Sequence, residues 1–283
     1  MDLPGFPLQK LNNRPEPLTE SEQHEPEPKT AEGNKQLADI NLSKGRVQHA
    51  ITRYKKAAHL ENDASHRTEL GDAYAYAGLP VNALQQYKRA LKKNPDSPEP
   101  HISLAEIYVR YGKWRAATEE YAKAVELAPS NAFYRHKLAN AYLHIDNRDD
   151  AILHLEEATA LSPRDAFYRF ELASLYADVR RDEDAVIEME KAVSICPDDD
   201  YYTARLGMIY VRIGKFEEAA ETYREAIRLS PTKFAYRWLL ADVYYSLGYE
   251  SRADQQYAEA EEIDQYDKEF VQRARRFIFG GSW

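Results

Sequence analysis

The residues that could do chemistry are eight histidines, one cysteine and a run of three aspartates. The histidines are His24, His49, His59, His66, His101, His136, His144 and His154. Two imidazoles sharing a metal on one helix need a His-x-x-x-His spacing with a carboxylate between them, and no pair has it. His136 and His144 share a helical face but stand about 12 Å apart at 1.5 Å rise per residue, too far for one ion. They read as solvent-facing or partner-facing. Asp198, Asp199 and Asp200 offer carboxylates to a cation, yet they follow Pro197 and open a helical pattern, where carboxylates cap N–H groups and favour the helix dipole. Cys196 has no histidine nearby in sequence to raise its thiolate fraction, no serine is framed by glycines, and no Gly-x-x-x-x-Gly-Lys-Ser/Thr run exists to cradle phosphate. The expectation is therefore no catalytic residue, no metal site and no cofactor.

Charge and composition narrow the class further. Against 38 Lys and Arg stand 47 Asp and Glu, a formal net charge of −9, which argues against a nucleic-acid partner because phosphate binding needs a clustered basic excess. One cysteine excludes an intrachain disulfide and fits a reducing compartment. No stretch approaches 18 apolar residues, and the start Met1-Asp2-Leu3-Pro4 lacks the charged and apolar runs of a signal peptide. These features lead to the expectation of a cytoplasmic chain without direct membrane insertion. Residues 1–30 hold six of the fourteen prolines beside Glu16, Glu20, Glu22, Glu25 and Glu27, a composition that cannot bury a core and predicts an extended tail.

The elements behind these residues emerge from a repeat of 34. Pro95, Pro129, Pro163, Pro197 and Pro231 obey it, as do Leu70, Leu104, Leu138, Leu172, Leu206 and Leu240, and Tyr74, Tyr108, Tyr142, Tyr176, Tyr210 and Tyr244. Small residues keep the same step: Gly71, Ala105, Ala139, Ala173, Gly207 and Ala241; Ala83, Ala117, Ala151, Ala185, Ala219 and Ala253; Ala90, Ala124, Ala158, Ala192, Ala226 and Ala260. Within one unit Leu104, Ala105 and Tyr108 form one helical face, and Ala117, Tyr121 and Ala124 another. Each unit is thus a predicted helix pair, with Gly112 ending the first helix and Pro129 following the second. The repeated Leu, Tyr and Ala columns read as core, because stacked repeats bury their apolar faces only against neighbours.

The pattern of leucine, small residue, tyrosine, alanine, aromatic, alanine and proline at these offsets resembles the tetratricopeptide repeat family. Units at 64–97, 98–131, 132–165, 166–199, 200–233 and 234–267 match it. A weaker unit at 31–63 has Leu37, Ala38, Ala50, Tyr54 and Ala57 but carries Asn41 in the tyrosine column. Residues 268–283 are read as a capping helix and short tail, with Phe270, Ala274 and Phe277 on one side. The resemblance implies an all-α, right-handed superhelical solenoid of seven helix pairs and a cap, acting as a non-catalytic protein-interaction scaffold, adaptor or assembly factor.

In that family the first helix of each pair lines a concave groove, and function is expected at positions that vary between units. Carried over by position, the groove residues are Phe133, His136, Lys137, Asn140 and His144; then Phe167, Phe170, Glu171, Ser174 and Asp178; then Tyr201, Arg205, Met208 and Arg212; and finally Trp238, Asp242 and Tyr245. Phe133, Phe167 and Tyr201 have two readings, partner contact or packing between units, since a tyrosine follows each. Glu69, Asp72, Glu99 and Glu106 predict an acidic entrance, and Lys137, Arg205 and Arg212 a basic, aromatic centre. The carboxylate clamp of chaperone-binding members is not matched, because Glu171 would face an acidic peptide. The implied partner is a protein or peptide. A rival reading, a constitutive subunit or homo-oligomer joined through its C-terminal end and convex face, rests on Arg275-Arg276-Phe277-Ile278-Phe279 and Trp283.

Overall fold

The computed structural model describes residues 28–260, 265–279 and 281, which contain fifteen α-helices and no strand. They are α1 (Ala31–Ser43), α2 (Val47–Leu60), α3 (Ala64–Tyr76), α4 (Pro80–Lys93), α5 (Glu99–Arg110), α6 (Trp114–Leu127), α7 (Ala132–His144), α8 (Arg148–Leu161), α9 (Ala166–Asp178), α10 (Asp182–Ile195), α11 (Asp200–Arg212), α12 (Phe216–Leu229), α13 (Phe234–Ser246), α14 (Glu250–Glu259) and α15 (Gln265–Ile278). Residues 1–27 of the expected tail lie outside the described residues, as does Trp283. The helices form two compact units, one ending at Ile145 and the other beginning at Asp146, so the boundary falls inside the 132–165 repeat.

The first unit stacks α1 on α2, α3 on α4 and α5 on α6, and each second helix also packs on the first helix of the following pair. The second unit does the same from α8 to α14. Alanine makes this possible. Ala83, Ala117, Ala90 and Ala124 in the first unit, and Ala151, Ala185, Ala219, Ala158, Ala192 and Ala226 in the second, are fully buried. A methyl group at these crossings lets two backbones approach, and larger neighbours fill the surrounding space. Where even a methyl is too much, glycine stands in the column after the leucine: a Cβ on Gly71 would sit 2.3 Å from the Tyr87 ring, and one on Gly207 would sit 2.9 Å from Tyr223.

Each first helix ends in the same device. The residue after the C-cap takes a left-handed backbone at Gly45, Gly78, Gly112, Gly214 and Gly248, and also at Asp146 and Arg180, with φ of 60° and 64°. The next amide then closes on a carbonyl one turn back, as in Lys113 N–H to Tyr108 and Arg181 N–H to Tyr176, both 2.8 Å. Helix starts are capped by Thr30, Asp63, Asn131, Asn147, Asp165 and Asp199, whose side chains accept backbone N–H groups. Two of the three aspartates are thereby accounted for: Asp199 accepts from Tyr202 N–H, and Asp200 accepts from Lys233, the N-cap of α13, and from Tyr236.

Three outcomes test this packing by chemical denaturation. Leu172→Ala empties a fully buried site on α9 and should cost about 2–5 kcal/mol. Gly71→Ala should destabilise by about 1–3 kcal/mol, because the Tyr87 ring must move. Arg180→Gly relieves a left-handed L-residue and should stabilise the chain by about 0.5–1 kcal/mol.

Candidate functional site

Of the carboxylates expected to form an acidic entrance, Asp72 and Glu106 turn out to be internal anchors, whereas Glu99 stays exposed and accepts from the Ser97 hydroxyl. In the column Asp72, Glu106 and Asp242, each carboxylate faces a tyrosine of its own second helix, buried at Tyr87 and Tyr121 and half-buried at Tyr257. Tyr87 donates to Asp72 at 2.7 Å, Tyr257 donates to Asp242, and Glu106 bonds Tyr121. Burial pushes these tyrosine hydroxyls well above their ordinary range, with the adjacent carboxylates adding to the effect. The following first helix then supplies a second partner: Ser103 donates to Asp72 at 3.1 Å and Lys137 pairs with Glu106 at 2.7 Å. Glu69 is likewise met by Lys35 at 3.5 Å. The position belongs to Met208 on α11, and there the Tyr223 hydroxyl finds no hydrogen-bond acceptor. The expected open acidic entrance is therefore corrected to a ladder of hydrogen-bonded or ion-paired carboxylates, with Glu99 the one of the four that is exposed.

In the first unit the groove candidates divide by exposure. His136, expected to face solvent or a partner, is 3% exposed and shares a 3.0 Å hydrogen bond with Asn140. Phe133 is half-buried, tilted against Tyr134 and covered by the Lys137 ammonium 5.2 Å from its ring centre. His144 is exposed and stacked on Trp114 with ring planes 10° apart.

In the second unit several of the candidates cluster. Phe170 on α9 stacks on Tyr202 at 4.8 Å between ring centres and meets Tyr201 at 5.6 Å. Phe167 does not join this face; it borders a shallow depression with Ile195, Cys196 and Tyr202. Arg205 on α11 is fully buried, contacts Ser174 at 3.3 Å and lies between Phe170 and Phe277. Burial lowers its guanidinium to about 10, and burial raises the neighbouring Glu171 carboxyl against the opposing pull of Arg205. Arg212, with a side chain 1% exposed, pairs with Asp182. The expected open basic centre is thus closed.

Its cover is α15. This helix packs on α13 and α11, burying Asp267, Phe270, Val271, Ala274 and Phe277. Phe270 meets Tyr201 and Tyr236 edge-on at 6.3 and 5.9 Å, and Phe277 lies under Arg205 and Arg212 at 4.9 and 4.2 Å. Arg275 donates twice to Asp242 at 2.8 Å and passes over Trp238. Asp267 accepts the N–H of Ala235 in the first turn of α13, where the helix dipole favours an anion. Met208 is fully buried, whereas Tyr245 is 67% exposed. Beside Tyr245 a cavity of about 430 Å3 opens, lined by Val211, Phe216, Leu239, Val243, Ile278 and Phe279 among others.

The amphipathic pattern of Phe270, Ala274 and Phe277 made this helix visible in sequence, but nothing in its spacing specified which face of the array it would cover. Sequence reasoning also missed the cluster Glu61, Asp63 and His66. There Asp63 caps α3 by accepting both the N–H and the ring Nδ1–H of His66 at 2.8 Å, so a structural role uses those groups. Among the described residues no helix is long and apolar enough to cross a membrane.

Comparison with known proteins agrees with this architecture. Similar solved structures include MamA, at 26% identity and a TM-score of 0.55, covering 60% of this chain and 93% of that one. YrrB, described as a TPR protein with an unusual peptide-binding site, aligns at 19% identity and a TM-score of 0.55, covering 63% and 93%. PilF of Pseudomonas aeruginosa aligns at 16% identity and a TM-score of 0.57, covering 78% and 97%. No curated protein matches the sequence significantly. The model of the cilia and flagella-associated protein 70 C-terminal domain matches residues 9–275. With its stacked helix pairs and this match over most of its length, the chain belongs to the family of the tetratricopeptide C-terminal domain of cilia and flagella-associated protein 70.

Proposed function

We propose that the chain is a non-catalytic protein-interaction scaffold, an adaptor or assembly factor that holds a segment of a partner protein against the first helices of its pairs. One observation carries this reading: the face of α11 and α13 already holds an amphipathic helix by aromatic anchors and one bidentate ion pair, the combination by which helix-binding grooves recognise ligands. Tyr245 borders that helix, and Phe170 adjoins it through Tyr201 and Arg205, as further contact points, while Phe133 and His144 offer an aromatic surface in the first unit beside the Lys137–Glu106 pair. The partner is a protein, with no cofactor and no nucleic acid required. A second reading, a constitutive subunit joined through its C-terminal end, draws on Phe279, which stands 86% exposed.

A photo-cross-linking amino acid placed singly at Phe170, Tyr245, Ile187 or Phe279 of the full chain separates these readings in extracts of the native cell. Ile187 is an exposed control on α10. Cross-links to the same partner from Phe170 and Tyr245, with none from Ile187, are expected. Cross-links confined to Phe279 would replace the scaffold reading with the subunit reading.

A further inference from the structure

Three features of α15 set it apart from a permanent layer of the array. The first is its floor. Elsewhere in the second unit, facing helices meet chiefly through buried alanine and leucine, with ion pairs such as Arg169–Glu188 beside them, but α15 lies on the buried guanidinium groups of Arg205 and Arg212 and closes on the half-exposed Asp242. Buried charges lose hydration that packing only partly returns, so a face floored with them regains solvation when its cover leaves. Burial accordingly depresses both guanidinium groups from their ordinary range. The second is its seat. Every earlier first helix within the second unit packs on the second helix of the preceding pair, whereas α15 packs chiefly on α13 and α11. The third is an incomplete fit. At its C-terminal end the 430 Å3 cavity remains beside Ile278, and Phe279 projects to solvent.

We propose that α15 is a resident, displaceable ligand of the α11 and α13 face, and that the partner is an amphipathic helix of the same pattern which takes its place. The proposal rests on the scaffold reading and specifies its ligand. The contacts of α15 define the pattern: an acidic residue at the position of Asp267 for the α13 N-terminus, an aromatic residue three positions on, a small residue four after that, then arginine, and a second aromatic residue seven after the first. Charge complementarity fixes the direction of the helix, because its acidic end meets backbone N–H groups and its arginine meets Asp242. A partner helix that continues for one more turn with a large apolar side chain fills the cavity beside Tyr245, which α15 leaves open. That additional burial is the basis on which it outcompetes the tethered helix.

The test uses the full chain and a fluorescein-labelled peptide of residues 265–279, followed by fluorescence anisotropy. Wild-type protein should bind the peptide weakly, because the attached copy competes at high effective concentration. Phe270→Ala with Phe277→Ala should weaken the attached helix and raise peptide affinity at least tenfold, with far-ultraviolet helicity lost by no more than the share of α15 itself confirming the array. Arg275→Glu, which replaces the ion pair to Asp242 and the Trp238 contact by a carboxylate that Asp242 repels while leaving the Phe270 and Phe277 anchors in place, serves as the milder variant and should raise affinity in the same direction. Asp242→Arg should reject the native peptide and accept one carrying Arg275→Glu.

Hydrogen exchange adds an independent readout: excess peptide should speed exchange of the α15 amides of the wild-type chain and leave α11 and α13 protected. Equal weak binding by wild type and both folded variants would overturn the proposal, as would peptide binding that leaves α15 protected. A concentration-dependent dimer that exchanges α15 between copies would overturn the choice of a partner helix in favour of a second chain. Partner cross-links at Phe170 and Tyr245 with α15 still protected would sink the displacement alone, whereas loss of those cross-links would sink the scaffold reading itself.

Discussion

The alanine-to-alanine approach between successive helices is the constraint on which the rest of the structure depends. Two helices in methyl contact present a narrow seam, so one pair buries little and must be covered on both sides by neighbours. The fully buried alanines on α4, α6, α8, α10 and α12 are the imprint of that requirement. Tyr87 and Tyr223 follow from it, since only a glycine opposite their rings leaves room for them at this separation. The left-handed residue after each first helix follows as well, because the short turn must reverse the chain without pushing the seam apart.

Where a pair buries a tyrosine in its second helix, and not Leu155 or Met189, the packing creates a second requirement, a partner for the hydroxyl. The carboxylates of Asp72, Glu106 and Asp242 meet it, and each then needs a further donor, which the next helix along provides through Ser103, Lys137 or Arg275. The polar ladder within each compact unit is therefore a consequence of the packing. Arg275 extends the ladder from α15, which is how a helix outside the regular stacking can satisfy Asp242 as a repeat helix would.

The face of α11 and α13 combines the two requirements in a way the rest of the second unit does not. Its polar floor would be costly if left dry and unpaired, yet its aromatic side chains are poorly suited to water. An amphipathic helix resolves both, by rings that cover guanidinium planes and an arginine that closes on a carboxylate. Such a face has a reason to be occupied, and another amphipathic helix of the same pattern can supply every contact α15 makes there, which is the behaviour required of an interaction scaffold.

The sequence by itself determined the helix pairs, their length, the alanine seam and the leucine columns, because each depends on contacts between residues a fixed number of positions apart. It also exposed the amphipathic helix over Phe270, Ala274 and Phe277. Only the tertiary structure decided which variable positions are open. His136, Met208 and Arg205 occupy positions that point inward by repeat register, but all three are buried. Asp72 and Glu106 carry charge that the spacing alone assigns to a surface, and buried tyrosines claim it. The seat of α15 is the largest such decision. Repeat register relates each helix to its neighbours but says nothing of a helix beyond the last pair, whose position depends on side chains brought together from α11 and α13.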